Sequence, residues 1–470
     1  MKKIVFYLIF TSILSILKAQ KLSLSEGVFI GGSDGYGIIG KYNDRVLFFH
    51  LDDSKVKIRG LDVNLRKLWD KEVEPDRKNQ ARVLEVINGK QDFNVIYQFR
   101  RKGHNYLKIH KYDPQVKLLD SSIIKDWGRD FIAPTLVTQY SEDKKVALVY
   151  ELLSGDKCKA VAVSLDSLRP IWETEFELKN WDYDDKMNQI LVTNKAEVYF
   201  VSEEDNRNSN LEKHRYSIRH INEAGKINSF DIFVKDIYGI HVKFGFNNQN
   251  QQLAAAGLYS NKNFSKAVGY FFINIPPQYS ETKIIYHPFD DEFVTALQGK
   301  KVTDNKGLTD LRVQEVVFKR DGGVIAIVEQ VREVTRQIGN TMSGRLPTRL
   351  IDYYYDNVFA ISLDLDGTTQ WKSIFYKKQM SQDDDARYCS YFLLKTPTAL
   401  RFLFNDEIER STTVSEYVLD GKGQSERHTI FNTNGQDVNL RFRDAMQVGA
   451  GEVIVPSDDR RRLRLIKIQY

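Results

Sequence analysis

Residues 358–376 read VFAISLDLDGTTQWKSIFY. Apolar and polar residues alternate along VFAISL, the segment from Asp364 to Gly367 carries tight-turn chemistry, and Trp371 opens a second alternating arm. Two extended arms around a short turn predict a β-hairpin. The same pattern recurs through the chain. KVKIRGLD ends at Asp62, YLKIHKYD at Asp113, AVAVSLD at Asp166, RYSIRHIN at Asn222 and VSEYVLD at Asp420, and Asn274 lies in GYFFINIPP. Successive spacings are 51, 53, 56, 52, 90 and 56 residues, so one interval holds an insertion and the rest are regular. Trp69, Trp172 and Trp371 share one place in the second arm, where an aromatic ring would pack between neighbouring units.

A more apolar strand precedes each hairpin, as in VLFFHL (46–51), NVIYQF (94–99), VALVYEL (146–152) and GVIAIVEQ (323–330). Runs that are apolar on both sides suit strands buried on both faces. With one further strand ahead of most of them, as in ARVLEVI (81–87), each unit has four strands. Repetition of such units predicts an all-β fold, a β-propeller of about eight four-stranded blades. Seven blades is the alternative if weak units merge, and a β-solenoid or tandem sandwiches are the other architectures with this pattern. LRLIKIQY (463–470) stops where its turn should begin, and KLSLSEGVFI (21–30) is a spare strand. Pairing the two would close the ring and remove two exposed edges.

The segment ahead of that spare strand reads as a signal peptide, residues 1–19. Lys2 and Lys3 precede the apolar run from Ile4 to Leu17, which is too short for a membrane span, and Ala19 suits the residue before a cut. Residues 21–470 then form a single propeller domain with no transmembrane span, expected to be exported to the periplasm, the outer-membrane periphery or the medium, and monomeric. The formal charge of +5 includes Lys2, Lys3 and Lys18; without them 65 basic residues face 63 acidic ones. A nearly neutral surface argues against nucleic acid as a partner. Arg460, Arg461, Arg462 and Arg464 read as a solvated strand edge. Cys158 and Cys389 fall in distant repeats and are expected to be buried free thiols.

No catalytic residue is assigned. Gly31-Gly32-Ser33-Asp34-Gly35 has the spacing of a nucleophile elbow, and Gly35 to Gly40 that of a dinucleotide loop. Both need a helix to follow, and a strand follows here. The eight histidines show no ligand spacing, so no metal and no cofactor are expected. Asp383-Asp384-Asp385 offers oxygens to a hard cation but reads as an interblade loop. DDEFVTALQGKK (290–301) reads as a short helix between blades.

The 90-residue interval also holds a lengthened hairpin, residues 331–357, VREVTRQIGNTMSGRLPTRLIDYYYDN. Long loops on rigid folds tend to carry function, and Arg and Tyr are favoured at interfaces. Arg345, Arg349, Tyr353 and Tyr355 are the candidate binding residues for a protein partner in the cell envelope.

The turn D-x-x-G-x-x-x-W at Asp364, Gly367 and Trp371 resembles the repeat of pyrroloquinoline-quinone-type propellers. The resemblance implies eight blades. Some members are dehydrogenases, and others are scaffolds, such as the propeller subunit of the outer-membrane β-barrel assembly machine. Asp113 and Asp420 lack the following Trp, and the adjacent-cysteine pair of the dehydrogenases is absent, so the resemblance does not carry the enzyme over. The whole chain also looks like secreted Gram-negative propeller-like proteins of unknown function. The expected role is therefore a non-enzymatic protein-binding scaffold, with association with an outer-membrane protein translocon, such as that of type 9 secretion, as its finer form. The competing expectation is an enzyme or a sugar- or small-ligand-binding propeller that uses the central channel. An active site would gather carboxylates or histidines at one channel mouth, and a scaffold an aromatic, Arg-rich rim.

Overall fold

Eight antiparallel sheets follow one another along the chain; seven take their four blade strands in sequence order, the last takes its outer strand from the N-terminus, and two sheets carry a fifth strand. The computed structural model describes residues 21–470 apart from 32–34, 53–54, 77–80, 130–131, 154–155, 179–180, 182–187, 208–209, 278, 280–281, 303–305, 339–347, 407, 409–412, 433–437 and 460–461. The signal-peptide segment, Ser33, Arg345, Arg460 and Arg461 lie outside the described residues. The first strands of blades 1 to 8 are Tyr36–Tyr42, Arg82–Asn88, Val137–Tyr140, Gln189–Val192, Tyr238–Asn247, Leu311–Phe318, Tyr391–Lys395 and Met446–Gly449. From blade 8 through blade 6 these first strands lie against one another around the ring axis. The chain is an eight-bladed β-propeller.

The second strands hold the core, as their doubly apolar pattern predicts. Gln252–Ser260 is buried at every position, and Phe93–Arg101 at its first seven. The eight largest hydrophobic clusters each lie between two neighbouring blades. Phe272 of blade 5 shares one with Val328 and Phe359 of blade 6, whereas Phe375 of blade 6 shares the next with Phe402 and Leu419 of blade 7. A blade is thus two-faced, and its stability comes from its neighbours.

The recurring Asp or Asn is a turn-maker. The Asp62 carboxylate accepts from the N–H of Asn64 and Arg66, both at 2.8 Å. Asp113, Asn222 and Asp420 accept from the equivalent N–H groups. Asp364 departs from this: its carboxylate pairs with Lys319 at 2.9 Å, and only its backbone closes the turn. Three residues after the acid the chain turns left-handed, at φ +63° for Leu65, +76° for Gly225 and +81° for Gly423. The tryptophans dock on the next blade's turn. Trp172 donates to Ala196 O at 2.8 Å and lies over Gly225, and Trp371 donates to Gly421 O at 3.3 Å and lies over Gly423.

Closure runs through the N-terminal strand. Lys21–Leu24 pairs antiparallel with Arg462–Gln469, in the register Lys21 with Gln469 to Leu24 with Ile466, and Val28 pairs with Leu463. Ser25 adds two hydrogen bonds, accepting from Leu465 N through Oγ at 2.8 Å and donating its own N–H to Leu465 O at 2.9 Å. The segment Gly35 to Gly40 lies almost wholly within the strand Tyr36–Tyr42, and a second strand follows. The helix expected at 290–301 runs Asp291–Gln298, capped by the Asp290 carboxylate, which accepts from Phe293 N, and ended by Gly299 at φ +66°. Cys158 and Cys389 are both free and buried, and burial pushes their thiols up to about 12 and about 11. No helix among the described residues is long and apolar enough to cross a membrane.

Candidate functional site at one mouth of the channel

Blade 6 is built differently from the other seven. Its second strand runs Val324–Ile338 and its third Thr348–Leu363. They pair as an ordinary blade up to Glu329 with Val358, pass a bulge, and continue from Val331 with Tyr355 to Ile338 with Thr348. The inner strand stops pairing at Leu311 with Gln330. The continuation is an arm standing beyond the blade. It rises from the ring face on which the first strands begin, because a hairpin between second and third strands lies at that end. A fifth strand, Gln379–Gln382, pairs with Asp352 to Tyr355 and widens the arm's base.

Alternation decides what the arm presents on each side. Val331, Glu333, Arg349, Tyr353 and Tyr355 share one face, and Arg332, Val334, Asp352 and Tyr354 share the other. Tyr353 and Tyr355 are 9% and 4% exposed, packed with Val331, Ala386 and Cys389. On the other face Asp352 is buried beneath Arg336 and Gln382, and Arg332 lies 4.5 Å from the Tyr354 ring centre. Of the candidate binding residues, Arg349 is exposed, Tyr353 and Tyr355 form the arm's buried base, and Arg345 falls outside the described residues.

Under that base lies a cavity of about 470 Å³. Its wall combines Gln189 of blade 4, His241 and Lys243 of blade 5, Arg312, Gln314, Glu333, Tyr353 and Tyr355 of blade 6, and Asp385 and Arg443 from interblade connections. Several of these groups already have partners. Gln189 bridges two blades, donating to Val242 O at 3.0 Å and accepting from Phe244 N at 2.9 Å. Arg312 pairs with Glu333 at 3.0 Å. Arg443 lies 4.6 Å from the Tyr355 ring centre. Burial lowers the Lys243 ammonium below the usual lysine range, countered in part by Glu315. A second cavity, about 540 Å³, opens at the other channel end between Tyr140, Phe246, Phe318 and Lys395.

No group of three or more metal-ligating side chains occurs among the described residues. Asp384 instead orders its loop, accepting from Ser381 Oγ at 2.8 Å and Ala386 N at 3.0 Å. His214 is fully buried between Ile237 O and Glu203, where it ties a loop to a strand. The cavity wall was not read from the sequence. Lys243, Arg312 and Arg443 come from three places in the chain, and no local motif links them.

No protein-family model matches this chain, and no curated protein does. Solved structures similar to it include BamB from Moraxella catarrhalis, at 10% identity and a TM-score of 0.39, over 96% of this chain and 100% of that one. Dipeptidyl peptidase 4 from Porphyromonas gingivalis is similar at 11% identity and a TM-score of 0.42, over 90% of this chain and 56% of that one. A polysaccharide lyase is similar at 8% identity and a TM-score of 0.37, over 82% and 89%. Likeness at this level bears on no functional assignment.

Proposed function

We propose that the protein is an exported, monomeric scaffold of the cell envelope whose single propeller domain holds the blade 6 arm toward a protein partner, with an outer-membrane protein translocon as the finer assignment. The observation that carries this reading is the arm itself. In the other seven blades the second and third strands end with the blade, so the ring does not need it. A fifth strand and a buried base brace it, which keeps the ordering cost of binding low. Arg345 and Arg349 are the contacts proposed on the arm, with Tyr353 and Tyr355 contributing from its base.

Replacing residues 334–350 by an Asn-Gly turn tests the reading. The pairing of Asp352 to Tyr355 with Gln379–Gln382 is left intact, so the fold is expected to persist, since surface loop length costs little stability. Co-purification of the partner from cross-linked envelopes should be lost. Recovery of the same partner at the same yield would show that the arm is not the interface.

A further inference from the structure

The arm has an open side. Beyond Val331, whose N–H is taken by Asp310 O, the strand up to Ile338 has Thr348–Tyr355 on one side and no strand on the other among the described residues. Strand order places that open edge toward the ring axis, above the 470 Å³ cavity. An unpaired strand edge is a template for an added strand.

The charges near that edge are unbalanced. Arg332 and Arg336 are engaged within the arm, by Tyr354 and Asp352. Lys243, Arg349 and Arg443 make no ion pair among the described residues, and the carboxylate within electrostatic reach of Lys243, Glu315, is itself paired with Lys395. Lys243 and Arg443 line the cavity, and Arg349 continues the strand face formed by Tyr353 and Tyr355. Among the described residues of the cavity wall, one carboxylate without an ion pair, Asp385, stands against these three cations, because Glu333 pairs with Arg312. A partly desolvated ammonium facing a polar cavity favours an incoming carboxylate. Tyr355 offers no open ring face for sugar stacking, since Arg443 covers it, and Tyr353 is buried.

We infer that the partner enters as an extended acidic segment, which adds a strand to the edge at 332–338 and lowers carboxylate side chains onto Lys243 and Arg443. This deepens the scaffold reading and rests on it. In an added strand alternate side chains point to one face, so acidic residues two apart would reach the cavity together.

A fluorescent heptapeptide alternating Val and Glu, its Gln counterpart and an oligoglucuronide serve as probes for the full-length mature protein. The Glu peptide should bind at least about tenfold more tightly than the Gln peptide at low salt, a difference that salt reduces. Lys243→Met with Arg443→Gln should shrink that ratio below about threefold. N-methylation of alternate peptide amides should abolish binding on one peptide edge and be tolerated on the other. Equal affinity for the Glu and Gln peptides overturns the inference, as does tolerance of methylation on both edges. Binding of the oligoglucuronide without the peptides would assign the cavity to acidic sugars and overturn it too. If the peptides fail while the shortened arm still loses its partner, only this inference falls. If the shortened arm keeps its partner, the scaffold reading falls as well.

Discussion

Lys377 and Glu329 form an ion pair, Nζ to Oε1 2.8 Å, whose side chains are 1% and 0% exposed at the base of the arm. Lys377 also donates to Tyr355 O and Gln379 Oε1, both at 2.9 Å. Glu329 accepts from Gln314 and Ser390, both at 2.8 Å. Gln379 reaches on to Asn405 O at 2.7 Å. The pair thus ties together the inner strand of blade 6, its second strand, the arm, the fifth strand and blade 7. This polar knot explains how a hairpin that leaves its blade stays fixed to the ring.

Removing one member leaves a buried charge without its counterpart. Lys377→Met is expected to cost about 3–5 kcal/mol. Adding Glu329→Gln should restore roughly half of the loss, because the amide keeps the hydrogen bonds of Gln314 and Ser390 without the stranded charge. Chemical denaturation of the two variants checks this. A single-variant loss below about 1 kcal/mol would show that the pair does not lock the arm.

The contact between Trp371 and Gly423 gives a second test. A Cβ on Gly423 would lie 2.6 Å from the Trp371 ring, at φ +81°. Gly423→Ala therefore combines left-handed strain with overpacking, and a loss of about 2–3 kcal/mol is expected. Gly421, two residues earlier, has no heavy atom within 4 Å of such a Cβ, so Gly421→Ala should stay within about 0.5 kcal/mol. Thermal midpoints of the pair decide whether the tryptophan docks as described. Equal midpoints would remove this joint between blades 6 and 7.

What the sequence made legible follows from range. The turns after Asp62, Asn222 and Asp420 are local hydrogen-bond devices, and strands such as Gln252–Ser260 announce double burial by composition alone. Closure was legible because it is a matter of counting strands. The fifth strand was not, since four residues, Gln379–Gln382, are too few to show a period. Alternation puts Tyr353 and Tyr355 on one face of the arm, but it does not say which face is covered, and here Asp352 on the other face is buried as well. Glu329 was visible as the one charge in GVIAIVEQ, yet its partner Lys377 lies 48 residues on, beyond a hairpin. The cavity needed blades 4, 5 and 6 to meet the connections that carry Asp385 and Arg443, and no local pattern announces that meeting.

Acid sensitivity should centre on His110, in the third strand of blade 2. Its Nε2 lies 2.9 Å from the Tyr97 hydroxyl, and its Nδ1 lies 2.9 Å from that of Tyr112. Tyr97 donates to Pro75 O at 3.1 Å, so it accepts from Nε2–H, and Tyr112 donates to Nδ1. That arrangement is complete only for neutral imidazole. Burial, with Lys108 adding to it and Asp76 opposing it, pulls the ring down to about 4 from 6.5. The unfolded chain therefore takes up this proton first as pH falls. Stability is unaffected above about pH 6.5, declines between 6.5 and 4, and levels off below. The ring is not fully sealed from solvent, so the loss should not exceed about 2 kcal/mol. Neighbouring carboxylates titrate in the same range, which is why the comparison is with His110→Gln. That variant lacks the titrating group but keeps a donor and an acceptor. Denaturation curves across pH 4–7 should show the wild-type advantage narrowing as pH falls. Parallel curves would mean that His110 accepts its proton in the folded ring as readily as in the open chain.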